Sequence, residues 1–308
     1  MKGQSDPDPS FTSYMKKHIA DLKRENRFSY MESNQITLNH LNNYTDGRDL
    51  LFKEITLAFL KEFESYLRHD LSLRIINSAR IYLNNIRSVY YHAIDAEIIK
   101  GDITSFRKFK IQQEKTKPRP LDVEELRFML GIRHKVTKQQ QQAIDIFFLS
   151  FYLCGINLKD LIYLKHENVV KGRIEYKRFK TGRAYSVKIF PQAQAIINRH
   201  KGEKYLLSFM DTKEILSPER LNEASHDILS EENKLLKRAL KDTGAKFKAS
   251  TYSARYSWAT IAAGLGISRD VIAHALGHGI NTMTDIYIDF DLAKVDEANE
   301  VVINSLQV

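Results

Sequence analysis

A chain of 308 residues, 43% of them hydrophobic, is long enough to bury two ordinary domain cores. Its formal net charge of +9 favours a polyanionic partner, and a single cysteine, Cys154, excludes an internal disulfide and any multi-cysteine metal site. No run approaches the roughly 18 apolar residues of a membrane span, and Met1 to Ser10 lacks the apolar core of a signal peptide, so a soluble, cytoplasmic protein is expected.

With only 13 Gly and 6 Pro and few β-branched runs, the chain reads as mainly α. Residues 1–10 read as a disordered tail, and residues 11–110 as a domain of amphipathic helices. Phe59, Leu60, Phe63, Tyr66 and Leu67 mark one core face, with Thr56 as its N-cap. The next helix opens near Leu71-Ser72 and runs its apolar face through Ile75, Ile76, Ala79, Tyr82, Leu83, Ile86 and Val89. Arg74, Arg80 and Arg87 lie off that face, where they would either meet phosphates or sit in solvent.

Residues 111–120, IQQEKTKPRP, lose all periodicity and carry two prolines within three residues, the composition of a linker. A second domain, 121–308, begins with a helix at Leu121 to Leu126, followed by a strongly apolar one near Gln141 to Leu153. Ile174 and Tyr176, then Tyr185, Val187 and Ile189, alternate around Lys180-Thr181-Gly182-Arg183 and predict a β-hairpin with a basic turn. Helical pieces follow near Ser217 to Ala224 and Glu231 to Leu240. From Ile111 to His200 there are 17 Lys and Arg against 8 Asp and Glu, but 13 against 16 from Lys201 to Val308, so the positive excess is concentrated near the hairpin.

Between Thr251 and Asp291 the pattern becomes specific. Arg255 opens a helix ending near Gly264, Ser268 caps another ending at Gly277, and Thr282 is placed to cap a short third bearing Tyr287. This stretch resembles the catalytic core of the tyrosine recombinases, or phage integrases, through Arg255, Leu276-Gly277-His278 and Tyr287, with Ser257-Trp258-Ala259-Thr260, Ala263-Gly264 and Ile272 around them. The first domain looks like that family's SAM-like core-binding domain. The resemblance implies a two-domain clamp around duplex DNA, a mainly α architecture with a small β-sheet or hairpin.

It also implies a reaction: site-specific cleavage and rejoining of DNA through a 3′-phosphotyrosyl intermediate, serving integration or excision of a mobile element. A crowded anionic transition state of this kind calls for guanidinium groups and hydrogen-bond donors, and the chemistry needs no metal or cofactor. Tyr287 would be the nucleophile, and Arg255 a bidentate phosphate clamp. His278 would bond the same phosphate or help the phenol lose its proton. Lys180 matches the family lysine that protonates the departing 5′ oxygen. Lys177 and Arg183 flank it as DNA contacts. The implied partners are double-stranded recombination sites, a homotetramer assembled on them, and accessory DNA-bending proteins. The residues before Phe11 are too few for the additional arm-binding domain that many such integrases carry.

Two positions depart from the family pattern. The slot of its first arginine holds Asn157, which lacks a charged fork, and Arg178 is the expected substitute on the argument that it shares a strand face with Lys180. Tyr252 stands where many members carry a histidine, yet a phenol still donates a hydrogen bond. Two readings therefore stay open beside the enzyme: a degenerate recombinase that binds without cutting, and a regulator using the helix-turn-helix-like stretch Ala259 to His278. The segment Asp291 to Val308 is expected to form a helix that docks on a neighbouring protomer, with packing at home as the alternative.

Overall fold

The computed structural model describes residues 9–69, 76–100, 102–111, 113–115, 118–211, 217–277 and 292–307. The chain divides into two compact units, Met1–Thr116 and Lys117–Val308. Among the described residues no helix is long and apolar enough to cross a membrane.

The first unit is helical. Its elements are α1 (Phe11–Arg24), α2 (Phe28–Tyr44), α3 (Leu57–His69), α4 (Ile76–Asp95) and α5 (Thr104–Lys108). Helix α1 starts where the Ser10 hydroxyl accepts from the Ser13 amide, and it buries Phe11, Met15, Ile19 and Leu22, one residue per turn of a single stripe. Thr56 caps α3 by accepting from the Phe59 amide at 3.2 Å. Helix α4 buries Ala79, Leu83, Ile86 and Val89, and its Asn85 amide reaches across to Ser33 and Thr37 of α2.

The second unit places helices around a small sheet. Capping boxes at Asp122 and Thr137 start α6 (Val123–Ile132) and α7 (Lys138–Tyr152). From Ala143 to Tyr152 every residue of α7 is buried, which makes it the central helix of this core. A short α8 (Leu158–Ile162) follows, then the antiparallel sheet β1 (Val169–Val170), β2 (Arg173–Lys177) and β3 (Ala184–Lys188) in that order. The register pairs Ile174 with Val187 and Tyr176 with Tyr185. After α9 (Pro191–Arg199) comes α10 (Pro218–Asp242). The two helical pieces expected there are one 25-residue helix: between them His226, Asp227 and Ser230 face outward, and the buried Ser225 hydroxyl is satisfied by the Asn222 carbonyl within the helix. The unit ends with α11 (Ser253–Gly264), α12 (Arg269–Leu276) and α13 (Leu292–Asn304).

In the single chain, helix α13 packs on its own unit, the alternative to docking on a neighbour. Val295, Ala298, Val302 and Ile303 are buried, and Trp258 Nε1 donates to Asn299 Oδ1 at 2.8 Å while Asn299 Nδ2 donates to the Tyr152 carbonyl at 2.8 Å. Arg173 holds the same helix through Asp296, at 2.5 and 3.1 Å.

Two buried carboxylates sit on α7 and α10. Asp145, 2% exposed, meets Arg133, Arg199 and His200. Burial pushes its carboxyl up, but the bonds from His200, Arg133 and Arg199 outweigh burial and hold it well below the usual range. Glu232 has no such cations. Its Oε1 accepts from Gln142 at 2.8 Å, its Oε2 meets no hydrogen-bond partner among the described residues, and burial raises its pKa from 4.5 to about 7.

A raised carboxyl pKa means that the folded state holds a proton that the unfolded chain has already lost, so stability falls as pH rises from 4.5 to about 7. Glu232→Gln removes that dependence and is expected to stabilise the protein at pH 8 by up to about 3 kcal/mol, a shift of several degrees in Tm. Thermal unfolding at pH 5 and pH 8 checks it: the variant's advantage should shrink at the lower pH, and equal profiles for the two proteins would refute the buried acid.

Candidate active site

Arg255 stands in the first turn of α11 at only 5% exposure. A guanidinium so deep needs acceptors, and it takes them from backbone. Nη1 donates to the Gly155 carbonyl at 2.8 Å, in the loop between α7 and α8, and Nη2 donates to the Leu276 carbonyl in the last turn of α12. Gly155 allows this approach. Its φ is +69°, and a Cβ there would lie 2.6 Å from the Arg255 Cα.

Arg178 arrives from the hairpin. Strand β2 ends at Lys177, so Arg178 and Lys180 do not share a strand face, and that part of the expectation is corrected. The backbone has already turned: the Arg178 amide donates to the Arg183 carbonyl and the Gly182 amide to the Arg178 carbonyl, both at 2.8 Å. The Arg178 side chain nonetheless points inward, at 11% exposure. Its Nη1 makes a long bond to the Gly277 carbonyl at 3.4 Å, and its Nε lies 3.9 Å from Asp160 Oδ2. Two guanidinium groups thus converge on the last carbonyls of α12, the end of a helix that favours positive charge.

One buried acid stands beside them. Asp160 Oδ1 accepts from the Phe179 amide at 2.8 Å. Burial pushes its pKa up, against the pull of that amide and of the Arg178 and Arg255 charges. Tyr176 and Tyr185 stack across the strands with ring centres 5.3 Å apart, and burial pushes both phenols above their ordinary value. Gly277, at φ +60°, ends α12 against the Tyr185 ring, where a Cβ would overlap the phenol.

Asn157 does structural work in the arginine slot. Its side-chain oxygen accepts from the Lys159 amide at 3.0 Å and caps α8. Asn157, Tyr252 and Arg255 line one cleft of about 180 Å³. Tyr252 is 43% exposed and edge-on to Tyr256, with ring centres 5.0 Å apart. A larger cleft of about 660 Å³ is lined by Tyr176, Lys177, Arg183, Tyr185, His274 and Gly277.

The remaining predicted residues divide by place. Lys177, Lys180 and Arg183 are exposed around the hairpin turn. Arg80 and Arg87 are half-buried on α4 of the first unit, with Arg87 Nη2 donating to Asn84 at 2.8 Å. Arg74, His278 and Tyr287 lie outside the described residues, His278 being the next residue after Gly277. Asp160 and His274 were not singled out from the sequence. A lone acid three residues past Asn157, in the most basic stretch of the chain, was the available signal for Asp160.

Residues 10–111 match a family model described as the phage integrase SAM-like domain. No curated protein sequence matches the chain. Among solved structures it is similar to a lambda integrase dimer bound to a COC′ core site, with 16% identity and a TM-score of 0.61 over 92% of this chain and 98% of that one. The same integrase as a tetramer bound to a Holliday junction gives 16% and 0.60, over 92% and 79%. The XerH site-specific recombinase bound to difH substrate gives 20% and 0.55, over 88% and 78%. The Tn1549 transposon integrase in complex with transposon right end DNA gives 12% and 0.58, over 96% and 100%. At these identities the likeness is one of fold.

Replacing Gly155 by alanine should strain the loop and push the Arg255 backbone away. A loss of about 2–4 kcal/mol in urea denaturation is expected from positive-φ strain and overpacking together. A loss below about 0.5 kcal/mol would show that the loop and α11 separate easily.

Proposed function

We propose, from the premise that this chain belongs to the tyrosine recombinases in its fold and in the family of its N-terminal domain, that it cleaves and rejoins DNA at specific sites through a covalent bond to Tyr287. The observation that carries this reading is the convergence of Arg178 and Arg255 on the α12 carbonyls immediately before His278. Two fixed guanidinium groups beside a cleft suit a phosphodiester passing through an anionic transition state. Arg178 takes the part of the arginine that Asn157 replaces.

The Tyr287 oxygen attacks phosphorus and gives up its proton, assisted by His278. The bond from phosphorus to the 5′ oxygen breaks, and the Lys180 ammonium gives that oxygen a proton, leaving a free 5′-hydroxyl and a 3′-phosphotyrosine. Attack by a 5′-hydroxyl from a second strand reverses these steps and restores the phosphodiester. Arg255 and Tyr252 hold nonbridging phosphate oxygens. Lys177 and Arg183 contact the duplex near the turn, and Arg74, Arg80 and Arg87 contact it from the first unit. Four protomers on two sites exchange strands in pairs, moving a mobile element in or out. The relatives seen on core-site DNA and as a tetramer on a Holliday junction support the substrate and the assembly.

A second reading, binding without cleavage, is favoured by one observation: Asn157 is committed to capping α8 and brings no cation. The two readings separate on a duplex selected by the protein from a randomised pool and then nicked near the scissile phosphate. The wild-type protein should form a covalent adduct stable to denaturing electrophoresis; tight binding with no adduct would leave only the binding role.

Tyr287→Phe should keep binding and lose the adduct entirely. Arg178→Ala should slow adduct formation about 10²- to 10³-fold, the usual cost of one transition-state donor, with little change in binding. Cleavage by Arg178→Ala at the wild-type rate would remove that residue from the mechanism.

A further inference from the structure

The hairpin turn carries an aromatic side chain at its tip that the reading above does not use. Phe179, adjacent to Lys180, is 65% exposed. Its ring lies parallel to Tyr163, with centres 5.4 Å apart and planes 14° apart, and Lys159 Nζ sits 4.9 Å from its centre. Both partners are themselves tied to α10. The Tyr163 hydroxyl donates to the Leu221 carbonyl at 2.7 Å, and Lys159 Nζ donates to Asn222 Oδ1 at 2.8 Å. The Phe179 amide is bound as well, by Asp160 Oδ1 at 2.8 Å.

Arg178 holds the base of the six-residue turn inward, but the exposed stretch from Lys180 to Arg183 has little of its own to hold it to the body of the protein. Its backbone bonds, including one from the Thr181 amide to the Arg178 carbonyl at 3.3 Å, close the turn on itself and do not fix where its tip points. Phe179 supplies the missing attachment: the amide fixes the backbone to α8, while the ring lies on Tyr163, which follows that helix. Stacking and cation–π contact at such a site are each worth about 0.5–1 kcal/mol, which is too little to matter for the fold and enough to bias a turn between positions.

We infer that Phe179 is a positioning residue, which clamps the hairpin turn to α8 through Tyr163, Lys159 and Asp160 and so delivers the Lys180 ammonium to the leaving 5′ oxygen. This rests on the assignment of Lys180 as the proton donor. The proton balance is that of the cleavage step above, and Phe179 exchanges no atom with DNA. Only the fraction of turns in the productive position changes when the ring is lost.

The test uses the leaving group. A duplex with sulfur in place of the bridging 5′ oxygen at the scissile phosphate expels a thiolate, which needs no proton at neutral pH. Single-turnover cleavage is measured on the oxygen and the sulfur duplex with the full-length protein. Phe179→Ala should cleave the oxygen duplex about 10- to 100-fold more slowly and the sulfur duplex within about threefold of wild type, as expected when a general acid is misplaced and not removed. Phe179→Tyr, which keeps the ring, should match wild type on both. Lys180→Ala should lose more on oxygen and likewise be rescued by sulfur. If Lys180→Ala is rescued while Phe179→Ala is unimpaired on oxygen, or equally impaired on both duplexes, the clamp is refuted and the proton donor stands. If sulfur does not rescue Lys180→Ala, the donor assignment falls and takes the clamp with it.

Discussion

The second unit is organised around a guanidinium that has no room to move. Arg255 is seated where α11 meets the Gly155 loop, so closely that only glycine fits, and its fork joins the loop carbonyl to the end of α12. Loop, helix start and helix end are therefore located relative to one another by one side chain. A surface arginine would cost less to fold, since it keeps its hydration. Burying it exchanges water for carbonyls that cannot reorient, and a preorganised cation needs no rearrangement when negative charge develops nearby.

Arg178 extends the same logic from the hairpin. It stabilises the C-terminal end of α12, where a cation in a partly buried setting contributes up to about 2 kcal/mol, and it lies close to the buried Asp160. With Arg178 and Arg255 against Asp160, this corner of the unit keeps one net positive charge. A fully neutralised cluster would be easier to bury but would offer less to an anion.

Much of this was legible in the sequence because local chemistry and periodicity agreed. Ser268 and Gly277 bracket α12, Thr56 caps α3, and alternation around Lys180-Thr181-Gly182-Arg183 located the hairpin. The failures have physical causes. A polar stretch inside α10 looked like a break because a helix that buries only one stripe tolerates polar residues on its outer face. Helix α13 has an apolar stripe whose partner the sequence could not name; in the single chain Val295, Val302 and Ile303 bury it, and Asn299 and Asp296 meet Trp258, the Tyr152 carbonyl and Arg173. Strand periodicity placed Arg178 and Lys180 on one face, but a strand's period ends with the strand, and β2 stops at Lys177.

That last failure changes how the missing arginine is understood. Had Arg178 and Lys180 stood on one strand face, both would have pointed together. The turn instead sends them apart, Arg178 inward to α12 and Lys180 outward to solvent. On the proposed mechanism, one six-residue turn would serve two chemical ends, a fixed cation for the phosphate and an exposed ammonium for the leaving group. On that reading clamp and acid share a backbone, but Arg178 is held by its own contacts to the Gly277 carbonyl and Asp160, so loosening the tip of the turn leaves it in place. Anchoring the turn to α8, whose first residue is capped by Asn157, ties the substitute cation back to the slot where the original would have stood.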